Sequence, residues 1–229
     1  MATGRDEGDR RLGRLAPVCS PDRGHLERVA AAGVEVEDVR EAEEIVGGHL
    51  PRLDWTRVSL RECCVRLVDV ADLVADRARL IDSHLSQPDI THLTSSDSTW
   101  RSVTVEGGRI GAWDLAGGVV DGITVAGAQL GYVNLRDATL TDVALRDCRI
   151  ETLDLAGAKV RRVSLAGCVI DELVVIRADL DELDLRGARL DRVDGVENLG
   201  GVIISAEQLL DIAPALAAAA GITIRPWPA

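Results

Sequence analysis

Val133-Asn134-Leu135-Arg136-Asp137-Ala138-Thr139-Leu140-Thr141-Asp142-Val143-Ala144-Leu145 places a leucine at every fifth residue, and the rhythm runs far beyond this segment. Counted in fives from Val105 to Leu190, eighteen consecutive positions hold Leu, Ile or Val. Those three types supply only 67 of 229 residues, so chance does not produce the run. Two residues before each of these positions a second rhythm appears, with a period of ten. Val103, Trp113, Ile123, Val133, Val143, Leu153, Val163, Leu173, Leu183 and Val193 are bulky. Between them, Gly108, Gly118, Ala128, Ala138, Cys148, Ala158, Cys168, Ala178 and Ala188 are small.

A period of five matches neither a helix at 3.6 nor a strand at 2. It suits a chain that turns a corner every five residues, with two side chains inward and three outward. Four sides close a square coil of twenty residues, and stacked coils pair like neighbouring strands. Bulky and small residues then alternate from side to side, so that one pair of sides fills the space the other leaves.

These pentads resemble the pentapeptide-repeat family, whose unit is small-(Asp/Asn)-Leu-x-x. The matching units include Ala178-Asp179-Leu180-Asp181-Glu182, Ala188-Arg189-Leu190-Asp191-Arg192 and Ala158-Lys159-Val160-Arg161-Arg162. The resemblance implies an all-β solenoid, a right-handed quadrilateral β-helix, over residues 48–194. It implies no particular function, because members share a scaffold rather than a site.

Working outward, the register can be followed back from Val105 through Ile90, Leu85, Leu80, Val70, Val65, Leu60, Trp55 and Leu50. Ala75, Ser95 and Trp100 break it, and Pro88 replaces a small residue. Ser86 to Thr99 is therefore expected to form distorted coils or a bulge, with Trp100 as an oversized plug. The tally predicts about seven coils with short helical caps at both ends. Residues 1–20 read as a disordered lead-in. Residues 21–47 read as a helical cap, with Ser20-Pro21-Asp22 opening one helix that Gly33 ends, and Glu35 to Val46 forming a second. In 195–229, Ser205-Ala206-Glu207-Gln208 has capping-box spacing, and Pro214 kinks or restarts the helix that follows. Leu209, Leu210, Ile212 and Leu216 on that segment are expected either to seal the last coil or to join two copies as a homodimer.

The net charge of −12 argues against sequence-independent contact with nucleic acid or an anionic membrane and permits a basic partner. The start of the chain, Met1 to Arg14, is charged and has no apolar core, and the longest apolar run, Ile212 to Ile224, is too short to span a bilayer; a cytoplasmic location is expected. One Lys beside 25 Arg hints at a GC-rich, bacterial genome. The five cysteines do not suggest a disulfide framework, and Cys148 and Cys168, twenty apart, should stack as core thiols.

No catalytic, cofactor or metal constellation emerges. His25, His49, His84 and His92 lack metal-ligand spacing and are expected outside the regular coils. Gly107-Gly108 and Gly117-Gly118 fit corners rather than a phosphate loop. Instead, residues twenty apart should form outward files: Arg109, Gln129, Arg149 and Arg189; Asp114, Asn134, Asp154 and Asp194; and Glu151, Asp171 and Asp191, with no base. The candidate site is this acidic surface, and the function expected is presentation of a rigid charged face to a protein partner. The family resemblance adds an alternative. Some members are acidic, dimeric rods that imitate duplex DNA and occupy the DNA-binding saddle of DNA gyrase and other type II topoisomerases. Here the absence of Phe, the few Asp or Asn before the pentad centre and the short acidic files depart from that pattern.

Overall fold

An extended segment of three to six residues followed by a sharp corner is the unit that the pentads build. The computed structural model describes residues 26–225. Its 21 strands all pair in parallel, and successive rungs are offset by one coil of twenty residues. The result is an all-parallel β-solenoid of about nine turns, roughly 43 Å long at the spacing of neighbouring strands. The pentad centres point to one axis. Leu135, Leu140, Leu145 and Ile150 are 8%, 2%, 7% and 0% exposed.

The corners explain the choice of residue two places after each centre. In the coil from 95 to 114, Asp97, Ser102 and Gly107 adopt φ of 54°, 52° and 61°. The fourth corner, at Ala112, avoids a positive φ, so the strand Arg109–Asp114 runs through it. Left-handed backbone favours Gly, Asp and Asn, which is why these types recur there. Gly108 has a second reason: a Cβ on it would lie 2.6 Å from Cδ of Pro88 in the coil below.

The helical N-terminal cap is not found. Among the described residues of 21–47, the chain forms strands Glu27–Ala30, Val39–Glu41 and the start of Glu43–Asp54, with a 3₁₀ turn Ala31–Gly33. Val29 pairs with Ile45, sixteen residues on, so this first coil is four residues short of a full one. Its pentad centre holds Arg40, tied to Asp38 at 2.7 Å and to the Gly33 carbonyl at 3.1 Å. A charged residue at the diagnostic position hid the coil in the sequence, and it accounts for part of the excess over seven. The lead-in, the Ser20-Pro21-Asp22 cap and His25 lie outside the described residues.

The bulge expected over Ser86 to Thr99 is also absent. Asp89–Thr94 pairs residue for residue with the coils on both sides. Trp100 is the plug expected, 2% exposed, and its indole donates to Ser95 Oγ at 3.0 Å and Ser98 Oγ at 3.1 Å. A large residue at one centre is offset by serines at neighbouring inward positions, so the coil keeps its dimensions.

Cys63, Cys148 and Cys168 are free and buried. The hydrogen bond with Cys148, reinforced by burial, pushes the Cys168 thiol up, as expected of a core thiol. Cys64, against expectation, is disulfide-bonded.

The C-terminal segment forms one helix, α1 (Ala206–Ala219), with Pro214 inside it rather than dividing it. The capping box is present: Gln208 N donates to Ser205 Oγ at 3.2 Å and Ser205 N to Gln208 Oε1 at 2.9 Å. Gln208 also ties the helix to the rod, its Nε2 donating to the carbonyls of Leu185 and Ala188 at 2.6 and 2.8 Å. Gln208→Leu therefore removes the side-chain arm of the capping box and both cross-links at once, while the Ser205 Oγ bond to the backbone N–H at 208 can persist. We expect backbone amides of α1 to lose hydrogen-exchange protection while those of Val120 to Leu173 keep theirs.

Candidate functional site

The strands stack outward side chains at one-coil spacing, so the predicted files exist as columns. Arg109, Gln129 and Arg149 are in register, and Val169 then separates Arg149 from Arg189. Asp114, Asn134, Asp154, Val174 and Asp194 form the next column. Their environments differ from a bare acidic face.

Asp154 is 2% exposed and does not belong to an acidic surface. Its carboxylate accepts from Arg136 Nε at 2.7 Å, from Tyr132 Oη at 3.0 Å and from Ala156 N at 3.0 Å. Asp114, half-buried, accepts from Asn134 Nδ2 and Ala116 N, each at 3.0 Å. In both cases a carboxylate three residues before a positive-φ corner accepts from the backbone N–H two residues on. These residues brace corners. Burial and the Asp154 carboxylate push the Tyr132 phenol above its ordinary value, while the ring stays 39% exposed.

About half of the acids along the described rod have an ion-pair partner. Asp171 lies 3.6 Å from Arg149, and Asp191 lies 3.5 Å from Arg189. Across coils, Asp142 accepts from Arg162 at 2.6 and 2.9 Å, and Glu172 accepts from Arg192 at 2.9 Å. Arg101–Asp121, Arg161–Asp181 and Arg57–Glu37 repeat the arrangement. The hydrogen bond from Arg162 holds the Asp142 carboxyl below the usual carboxylate range. Each such exposed pair contributes little energy, about 0–1 kcal/mol. Its consequence is electrostatic: the negative potential is broken into patches. Opposite charges twenty residues apart were the signal in the sequence that could have shown this. Glu151 and Asp194 are exposed and enter no ion pair among the described residues.

His84 does not lie on a polar loop. It sits on a regular rung between Cys64 and Thr104 and is 3% exposed. Neither ring nitrogen has a hydrogen-bond partner, although Glu106 Oε2 is 3.4 Å from Nε2. Burial lowers its pKa, opposed by Glu106 and aided by Arg66. The unfolded chain therefore binds the proton first, and stability falls as pH drops through the ordinary imidazole value towards the lower folded one. Thermal melts from pH 7.5 to 5.5 are expected to show that loss in the wild type and a flatter profile in His84→Leu. His49 and His92 are exposed and contact Asp69 at 2.6 Å and Asp72 at 3.1 Å. No group of three metal-ligating residues occurs among the described residues.

The second candidate set is at the C-terminal end. Ile212 and Leu216 face the last coil, whereas Leu209 and Leu210 are 47% and 75% exposed. No residue of α1 is fully buried. Between helix and coil lies a pocket of about 340 Å³, lined chiefly by aliphatic side chains including Leu190, Val193, Leu199 and Val202. Sequence reasoning named the helix residues but not the cavity, because its floor comes from the irregular turn after Val193.

No protein-family model and no curated protein matches the chain. Among solved structures it is similar to QnrB1, a plasmid-mediated fluoroquinolone resistance protein, with 17% identity over 87% of this chain and 95% of that one, at a TM-score of 0.40. It is also similar to HetL, a pentapeptide-repeat protein involved in heterocyst differentiation regulation from the cyanobacterium Nostoc. There the identity is 15% over 73% of this chain and 90% of that one, at a TM-score of 0.23. The family resemblance is carried by the chain's own pattern. Eighteen unbroken pentads, inward centres and all-parallel rungs offset by twenty residues give the chain a parallel β-solenoid fold, consistent with the pentapeptide-repeat pattern.

Proposed function

We propose that the chain is a non-enzymatic scaffold that presents a rigid, charged surface to a protein partner. The observation that carries this reading is the rod itself. Its outward residues are fixed in columns about 4.8 Å apart, a geometry that holds a recognition surface in place without an ordering cost on binding. Its cross-coil ion pairs give that surface an alternating pattern, which favours specificity over bulk attraction. Among the described residues no helix is long and apolar enough to cross a membrane, and a cytoplasmic location accords with the reading.

The alternative, modulation of DNA gyrase by imitation of DNA, rests on the net charge of −12. The matched columns and the buried Asp154 weigh against it, because a duplex mimic needs an unbroken negative stripe. A gyrase supercoiling assay with added full-length chain, run beside a pull-down with purified gyrase, separates the two. We expect neither inhibition nor retention, and inhibition lost in Glu151→Gln/Asp171→Asn/Asp191→Asn would establish the mimic instead. The scaffold reading itself fails if immobilised chain retains no protein from lysate at physiological salt.

A further inference from the structure

We infer that the binding end of the molecule is its C-terminal cap, and that the partner segment it fits is a basic amphipathic helix. The inference rests on the scaffold reading and deepens it by moving recognition from the sides of the rod to its end.

Three observations converge. The first is the pocket of about 340 Å³ between α1 and the last coil, an unfilled aliphatic space beside a helix with no buried residue. A space of this kind forgoes packing that a close cap would make, and it suits one or two large apolar side chains from outside. The second is that the same C-terminal segment leaves large apolar side chains exposed. Ile203, Leu209, Leu210, Ile222 and Ile224 are 39%, 47%, 75%, 61% and 68% exposed. Several large apolar side chains exposed on one terminal segment are a mark of interaction surfaces, and an aliphatic pocket beside an amphipathic helix is the setting of helix-in-groove recognition.

The third is charge. From Val193 to Arg225 the chain carries Asp194, Glu197, Glu207 and Asp211 against a single base, Arg225 at the far end. All four acids are exposed, and none enters an ion pair among the described residues, unlike Asp171, Glu172 and Asp191 on the adjoining coils. Glu197 stands at the pocket itself. An apolar site edged by unpaired carboxylates complements a helix with an aliphatic stripe flanked by Lys or Arg. The same charges disfavour a second copy of this chain, since two such caps would bring eight acids together against only two arginines.

The experiment uses the full-length chain and a fluorescently labelled 18-residue peptide of Leu and Lys patterned as an amphipathic helix, read by anisotropy. Its Leu/Glu counterpart and a scrambled Leu/Lys peptide are the comparisons. We expect saturable binding of the Leu/Lys helix that is at least tenfold tighter than either comparison. Val193→Trp, which fills the pocket, and the pair Glu197→Gln/Asp211→Asn should each weaken it about tenfold or more, with rod melting unchanged. Glu151→Gln/Asp171→Asn on the rod should leave it unchanged. Equal binding of the scrambled peptide, or undiminished binding by both cap variants, overturns the inference. So does sedimentation showing a dimer that Val193→Trp or Leu210→Glu dissociates and the peptide does not, because the cap is then closed by a second copy. A partner lost through the rod variant alone would sink this inference and leave the scaffold reading standing.

Discussion

Ile150→Asp will yield no folded protein, whereas Arg149→Asp, one residue earlier, will fold and melt close to the wild type. Ile150 is 0% exposed, at the centre of a pentad between Leu130 below and Ile170 above. A carboxylate there has no water, no donor and no base, and a buried unpaired charge costs several kcal/mol or more. Whole domains have only about 5–15 kcal/mol of stability, and a solenoid transmits a broken rung to both neighbours. Arg149 points out of the same strand and lies 3.6 Å from Asp171, the two side chains 61% and 38% exposed. Its replacement sets two acids side by side at the surface, a loss of about 1 kcal/mol or less. Circular dichroism and denaturant melts of the two variants test the register directly. Equal behaviour, in either direction, would mean that the pentad centres do not face one axis.

The aliphatic rhythm made nearly all of the coil legible because burial acts on every fifth side chain independently. It failed where something other than hydrophobicity occupied the inward position. Arg40 satisfies its charge with Asp38 and a backbone carbonyl, so a real coil lacked its apolar marker. The acids of Glu35 to Val46 then resembled the polar face of a helix. The outward columns were legible in position but not in character. Spacing put Asp154 in a file with Asp114, yet only the folded coil brings Tyr132 and Arg136 onto it. A side chain's periodic address says which way its Cα points; whether its charge is presented or consumed depends on neighbours one coil away. The C-terminal helix was announced by its capping box, but the pocket beside it belongs to a turn with no repeat to read.

Trp100→Ala tests a place where the rhythm breaks and the coil does not. The indole is among the largest fully buried side chains and packs against Trp113 with ring centroids 5.2 Å apart. Its Nε1 donates to two serine hydroxyls that otherwise have only each other and nearby carbonyls. Truncation removes the ring, opens a cavity in a tube too regular to collapse around it, and takes the donor from both serines. Large aromatic truncations in cores cost about 3–5 kcal/mol. Trp100→Leu restores the residue the repeat calls for, but not the volume that Ser95 and Ser98 leave for the indole, so it should recover only part of the loss. Adding Ser95→Leu to Trp100→Leu returns two neighbouring inward positions to aliphatic side chains. If the serines are there because the tryptophan is, the double variant will melt above Trp100→Leu. A double variant less stable than either single change would show that the two sites are not exchanging volume, and that the serines hold the coil for a reason of their own.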